Sequence, residues 1–306
     1  MTPPTHRLRG LAWILLSILC WAPMFPIAKR ALPYVDAFGL GTLRYLFGSV
    51  LFIALLWAIE GRQALRFDGR VVPAAVFGVI GITGFNVLVW YGLTATRPEH
   101  AAIIMSLQTP LIALAVWLLR GQRPAPFVLA CIGAALAGVF LVVTKGDPES
   151  AFDGGYLWGD VLVLLGAMSW VTYTLAAGRF GGWSPLRLTV LTCIPGALGL
   201  LIANGIAIAF GVATLPSAAA IASVGWQIAY FSTCTVVLGV LGFNFGVKYL
   251  GPLNTMLMLN LVPLCVFAIE AWLGREFAAI ELAGAALVIG ALVANNLYQR
   301  RISVRA

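Results

Sequence analysis

Four carboxamides, Asn86, Gln108, Asn244 and Asn260, interrupt stretches of the chain that are otherwise apolar. An amide in such surroundings must find a hydrogen-bond partner, and a small polar solute is one kind of partner. Hydroxyls lie close to them in sequence: Thr83, Ser106, Thr109, Ser169, Thr172 and Thr174. The bland alternative is that these groups only join neighbouring helices. Trp21, Trp90, Trp170 and Tyr173, with Met105, add apolar and aromatic surface that suits an apolar or aromatic solute, or its cation, by stacking and cation–π attraction. Pro110 and Pro263 each deprive the carbonyl four residues earlier of its amide donor, and Pro23 and Pro26 interrupt the run before them. These four prolines are candidate hinges. Arg44 stands alone as a cation deep in an apolar run, with Asp36, Glu270 or a solute carboxylate as candidate partners.

This inventory suits binding and movement rather than bond breaking. An intramembrane hydrolase needs paired aspartates or a Ser–His pair at depth. Here the aspartates fall near the ends of apolar runs, His6 is terminal, His100 is near a loop, and no His-Glu-x-x-His occurs. Cys20, Cys131, Cys193, Cys234 and Cys265 are scattered without metal-ligand or disulfide spacing, so no metal and no cofactor is expected. A channel would show a charged ring or a carbonyl filter, and neither is legible.

The elements that position these residues follow from composition. Of 306 residues, 61% are hydrophobic and 10% charged, whereas a soluble domain carries about 25% charge. The solvent of this chain is therefore mostly lipid. Ten runs approach the roughly 20 apolar residues that a spanning helix needs: 10–31, 37–59, 71–95, 99–119, 126–144, 155–178, 186–211, 217–247, 252–273 and 278–298. The expected fold is an all-α membrane protein with ten transmembrane helices. No removable leader is expected, because the first run passes into "WAPMFPIAKR" without a small-residue cleavage pattern. Trp57, Trp158 and Trp272 fall near run ends, where an interfacial belt sits.

Charge sets the orientation. Arg7, Arg9, Arg62, Arg66, Arg70, Arg120, Arg123, Arg179, Arg187, Lys248, Arg300, Arg301 and Arg305 share one side. Lys29, Arg30, Arg97, Lys145 and Arg275 share the other, along with Asp147, Glu149, Asp153 and Asp160. The positive-inside rule then predicts both termini in the cytoplasm. It also accounts for a net charge of +8 without nucleic acid as a partner.

The chain repeats itself. Trp21 and Arg30 match Trp170 and Arg179. Gly84-Phe85-Asn86 and Tyr91 match Gly242-Phe243-Asn244 and Tyr249. Pro110-Leu111 and Gly121 match Pro263-Leu264 and Gly274, and "GAAL" at 133–136 returns at 284–287. Matches in order at a nearly constant offset point to two homologous halves, 1–150 and 151–306. Five crossings per half is an odd number, so the second half must run in the opposite sense. Inverted repeats are typical of secondary transporters, with the solute near mid-bilayer in a central cavity between the halves. Asn86 and Asn244 would then sit at equivalent depths on either side of the midplane. Spans 5 and 10 carry small residues at every fourth position, Ala130, Ala134, Gly138 and Ala286, Gly290, Ala294, which suits close packing as a scaffold or in a homodimer.

The pairs "CWAPMFPIAKR" with "SWVTYTLAAGRF", and "TPLIALAVWLLRGQRPAPFVLACIGAALAGVFLV" with "VPLCVFAIEAWLGREFAAIELAGAALVIGALV", resemble the bacterial ten-helix drug/metabolite transporter superfamily of the EamA type. The second copy keeps that family's Leu-Gly-x-Glu turn as Leu273 to Glu276, while Gln122 stands where the first copy's acid would fall. Within the family the chain looks most like the aromatic amino-acid exporter branch (YddG type). The resemblance implies export or exchange of small metabolites across the bacterial inner membrane. With no acid in span 1, and Glu270 the one acid well inside a run, transport is expected to be facilitative or weakly proton-coupled. The expected partners are a small-molecule substrate and the lipid bilayer, with the protein a monomer or a homodimer through helices 5 and 10. The alternative cargoes are phosphorylated sugars, nucleotide-sugars or drugs; the alternatives outside this class are a polytopic membrane enzyme or a channel.

Overall fold

A computed structural model describes residues 4–121, 123–145, 147, 155–250, 255, 258–259 and 261–305. Gln122, Glu149, Asp153 and the candidate site residue Asn260 lie outside these, as does the side chain of Thr109. Every regular element among the described residues is helical. The first half comprises α1 (Pro4–Trp21), α2 (Met24–Ala31), α3 (Ala37–Glu60), α4 (Val71–Gly78), α5 (Phe85–Thr94), α6 (Pro98–Ser106), α7 (Gln108–Arg120) and α8 (Pro126–Thr144). The second comprises α9 (Leu157–Ala177), α10 (Pro185–Ala209), α11 (Ala218–Ser223), α12 (Gly225–Tyr230), α13 (Gly239–Leu250), α14 (Leu261–Trp272) and α15 (Ala279–Arg305).

Among the described residues, seven stretches are long and apolar enough to cross a bilayer: Leu8–Ala31, Ala37–Glu60, Val71–Thr94, Pro126–Thr144, Leu157–Ala176, Pro185–Ala209 and Gly225–Leu250. The runs expected at 99–119, 252–273 and 278–298 fall short of that measure for local reasons. The first is broken at Leu107 into α6 and α7. Of the second, α14 spans 12 residues and much of what precedes it lies outside the described residues. Of the third, the apolar part among the described residues runs from Ala279 to Asn295, within a helix that continues to Arg305.

Helix ends follow their capping chemistry. Asp36 accepts from the Gly39 amide at 2.8 Å to open α3, and the Ser184 hydroxyl accepts from the Arg187 amide at 3.0 Å to open α10. Pro98, Pro126 and Pro185 occupy first-turn positions, where a missing N–H costs nothing. Gly121 ends α7 at φ 67°, which L side chains rarely adopt. Pro23 sits in the turn that separates α1 from α2, and Pro26 lies in the first turn of α2. Pro110 is the third residue of α7 and so begins that helix instead of bending it, while Pro263 lies in the first described turn of α14, with Met258 and Leu259 also helical before it. Pro195 lies inside α10, and the sequence reading passed over it.

Two π-helical segments, Val79–Gly84 and Phe231–Leu238, widen the backbone between α4 and α5 and between α12 and α13. The first packs tightly: a Cβ on Gly81 would collide with Tyr173 Cβ. The helices then pair: α1 lies along α13, α5 along α9, α3 along α10 and α8 along α15. In the last pair, a Cβ on Gly138 or on Gly284 would come within 2.7 Å of the other's carbonyl oxygen. Of the small residues singled out in spans 5 and 10, Gly138 thus serves packing within the chain, whereas Ala130, Ala286 and Gly290 are exposed and a Cβ on Gly290 would meet open space. Trp57, Trp158 and Trp272 are exposed, as expected of interfacial aromatics.

The bundle has two distinct ends. Val71–Thr94 is 24 residues long, which separates the residues before it from those after it by about 36 Å. Asp68 and Arg70 mark one end; Arg97, Glu99 and His100 mark the other.

Candidate functional site

A cleft of about 940 Å3, counted to its open mouth, lies at the middle of the bundle. The α1/α13 pair and the α5/α9 pair face each other across it, with α3 behind and α6, α7 and α14 at the front. Its walls are mostly apolar and include the large rings of Trp21, Phe25, Phe85, Trp170 and Phe243. The polar side chains on it are few, namely Arg44, Tyr45, Ser106, Gln108 and Thr235.

Local bonding holds these walls. The Trp21 indole donates to the Thr235 carbonyl at 2.9 Å, fixing the ring at the junction of α1 and the second π segment. Phe243 lies 5.9 Å from it, centroid to centroid. On the facing wall Trp170 rests between Phe85 at 5.5 Å and Tyr173 at 5.3 Å. Met105 lines the cleft beside Gln108, whose amide is 3.9 Å from the Met105 sulfur, a weak acceptor. Pro263 also reaches the wall.

Not every candidate faces this space. Asn86 is fully buried: its amide donates to the Ile82 carbonyl at 2.7 Å and its oxygen accepts from Trp90 Nε1 at 2.9 Å. Trp90 is equally enclosed, packed on Phe231 at 5.4 Å. Asn244 donates to the Thr189 hydroxyl at 2.9 Å, tying α13 to α10. Tyr173 shares a 3.0 Å hydrogen bond with Thr192. Thr83 donates to the Gly196 carbonyl at 2.9 Å, and Ser169, Thr172 and Thr174 donate to carbonyls of their own helix. Asn244, Tyr173 and Thr83 thus join helices around the cleft, whereas Asn86, Ser169, Thr172 and Thr174 are satisfied within their own spans. Pro23 and Pro26 flank Met24 and Phe25, both on the wall, and Pro110 lies just beyond Ser106 and Gln108.

The recurring Gly-Phe-Asn thus contributes its phenylalanines, Phe85 and Phe243, to the cleft, while its asparagines turn into the packing. Sequence reasoning fixed on the amides and missed the rings beside them, though the repeat that drew attention to one held the other. Met24 and Tyr45 were missed as well, and no sequence signal marked them. The Asn86–Trp90 bond was legible, because residues four apart share a helix face.

The cleft is closed toward the Glu99 end. There α6 meets α14, and α2 packs against α5, α6 and α14. A buried core including Ala28, Leu40, Trp90, Leu93, Ala101 and Val266 fills the space between them. Toward the Asp68 end the same front elements part. There α7 packs on α9, while Met258 and Leu259 join Ile14 and Ile18 on the far side. The mouth therefore faces the Asp68 end.

Such a bundle, with a cleft at its centre, is a multi-pass helical membrane protein. The model of the EamA-like transporter family matches residues 8–144 and again 157–297, and the chain belongs to that family. It is 30% identical over 296 residues to the transporter YrdR of Bacillus subtilis, covering 95% of this chain and 92% of the relative. A probable terminal-alkyne amino-acid exporter of Streptantibioticus cattleyicolor is 24% identical over 293 residues, 95% of this chain and 94% of the exporter. The threonine/homoserine exporter RhtA of Escherichia coli is 29% identical over 157 residues, 51% of this chain and 48% of that protein. A solved crystal structure with 21% identity superposes at a TM-score of 0.67, covering 96% of this chain and 99% of the other, so the two share a fold.

Proposed function

We propose that this transporter exports or exchanges small amphipathic metabolites, above all amino acids with large apolar or aromatic side chains, by alternating access. The carrying observation is the cleft itself. Trp21, Phe85, Trp170 and Phe243 offer stacking surface, while Ser106, Gln108 and Arg44 offer a few polar contacts. Two relatives named as exporters of amino acids support amino acids as the cargo, while the large apolar side chain rests on the rings of the cleft alone.

The machine consists of ten spans in two inverted halves, 1–150 and 151–306. Support comes from the paired family matches and from the helix pairing: α1 with α13 mirrors α9 with α5, while α3–α10 and α8–α15 map onto themselves. The two π segments fall at corresponding places in the halves. Both termini lie in the cytoplasm of a bacterial inner membrane, so the conformation described is open to the cytoplasm. Trp21, Met105, Gln108, Trp170 and Asn260 form the substrate contacts, supported from behind by Asn86, Trp90, Tyr173 and Asn244. Pro23, Pro26, Pro110 and Pro263 mark the joints. Leu136, Phe140, Leu282 and Leu287 stay exposed on the α8/α15 pair, which leaves lipid or a second copy of the chain to cover them. Among the described residues of the cleft wall there is no Asp, Glu or His, which favours facilitative transport.

A counterflow screen in proteoliposomes tests the reading. Large apolar amino acids should exchange fastest, ahead of nucleotides, sugar phosphates and cationic drugs, and flux should persist when the pH gradient is collapsed. Exchange of sugar phosphates without amino acids would sink the substrate class. Strict loss of flux with the gradient would sink the facilitative mode.

A further inference from the structure

We infer that Arg44 is the carboxylate anchor of the cleft: its buried guanidinium, unpaired by any acid of the described chain, takes the carboxylate of the transported solute. This rests on the amino-acid reading above and deepens it.

Arg44 lines the cleft from α3 yet is only 3% exposed. No ion pair among the described residues includes it; those present use Arg97, His100, Arg187 and Arg275. Among the described residues its Nε has no hydrogen-bond partner. Its Nη1 meets the Met24 sulfur, at 3.5 Å, a weak acceptor, and its other polar neighbour is the neutral Tyr45 side chain. Asp36 is not its counter-ion, because that carboxylate accepts from the Gly39 amide and, at 2.9 Å, from the Thr214 amide. The guanidinium instead lies over the rings of Trp90, at 4.6 Å, and Tyr45, at 5.0 Å.

A buried charge without a counter-ion is unfavourable. Aromatic faces offset part of that cost but leave the N–H edge of the guanidinium unsatisfied. That edge is a planar fork that fits a carboxylate with two parallel hydrogen bonds. Arg44 is the one cation among the described residues of the wall, so a single negative charge neutralises it, whereas a phosphate dianion would leave an excess.

The other end of an amino acid finds acceptors across the cleft. Ser106 and Leu259 both line it, and Pro110 and Pro263 deny each carbonyl its helical amide donor. Met24 occupies the anion's place at rest. It follows directly on the break at Pro23, and its unbranched side chain can swing aside.

The test uses purified full-length protein and four probes of one shape: L-phenylalanine, L-phenylalaninamide, 3-phenylpropionate and phenyl phosphate. Wild-type protein should bind phenylalanine over its amide by roughly tenfold or more, the size expected of hydrogen bonds to a charged group. Arg44→Gln should bring that ratio to within about twofold, and Arg44→Lys should recover part of it, since a lysine keeps the charge and loses the fork. A merely structural arginine would change affinity for acid and amide together and leave their ratio intact. Equal binding of acid and amide by the wild type, or an unchanged ratio in Arg44→Gln, overturns the proposal while counterflow of amino acids still stands. Arg44-dependent binding of phenylpropionate without phenylalanine keeps the anchor and removes the amino-acid reading. Preference for phenyl phosphate, or binding of no carboxylate at all, overturns the anchor. Should Arg44→Gln fail to fold, the wild-type ratio and Arg44→Lys decide between the same outcomes.

Discussion

The two ends of the bundle handle charge in opposite ways. At the Glu99 end, Glu99, His100, Asp160 and Glu281 are all buried. Arg275 pairs with both Glu99 and Glu281, the latter at 3.0 Å, while Arg97 approaches Glu281 at 3.9 Å. Asp160 accepts from Thr96 and faces His100 at 3.3 Å. Lys29 reaches over to the carbonyls of Leu93 and Thr96, at 2.6 and 2.7 Å, closing the end of α5. At the Asp68 end the comparable contacts are wet. Arg187 pairs with Asp68 at 2.7 Å, but Asp68 is 52% exposed, and the Ser184–Glu60 and Arg70–Gly181 bonds are exposed too. The same chemistry seals one end and rims the other. Solvent makes the difference: a charge kept from water depends on its partner, whereas a wetted one can exchange its partner for water.

Sequence reading put Asp160 near the end of an apolar run and singled out neither Glu99 nor Glu281, yet all three are buried. Neighbouring helix ends from both halves converge there over the closed core, a convergence that run ends viewed singly do not reveal.

Three substitutions grade this contrast, each read as thermal unfolding of the purified protein. Arg275→Ala should cost most, about 3–5 kcal/mol, because it strands Glu99 and Glu281 in the packed interior. A loss no larger than that of a surface mutant would mean that water reaches the closed end. Asp160→Asn comes next, at about 1–3 kcal/mol, since it removes the charge that Thr96 and His100 satisfy but keeps the shape. Stability unchanged by this variant would show that the His100 contact contributes nothing. Smallest should be Asp68→Ala, at most about 1 kcal/mol and shrinking further in high salt. If its loss matched that of Arg275→Ala, the two ends would not differ at all.

Much of the site was legible before any geometry. Trp21, Met105, Gln108, Trp170 and Pro263 all reach the cleft. Asn86, Trp90, Tyr173 and Asn244 were singled out on equally sound grounds but spend their polar groups on neighbours. A buried amide can satisfy itself inward or toward a solute, and residue type does not distinguish the two. Arg44 was noticed, but its candidate partners could not be separated until Asp36 proved to be capping α3.

Sequence alone determined the helical, lipid-solvated character of the chain, because so few charges cannot wet a globular surface. It also determined that the halves echo one another, since homologous runs keep their order and offset. Only tertiary structure decided which member of each Gly-Phe-Asn faces the cleft, which end is shut, and that Arg44 has no acid beside it among the described residues. Those outcomes depend on how each helix is rotated against its neighbours, and that rotation is set by packing contacts far apart in the chain.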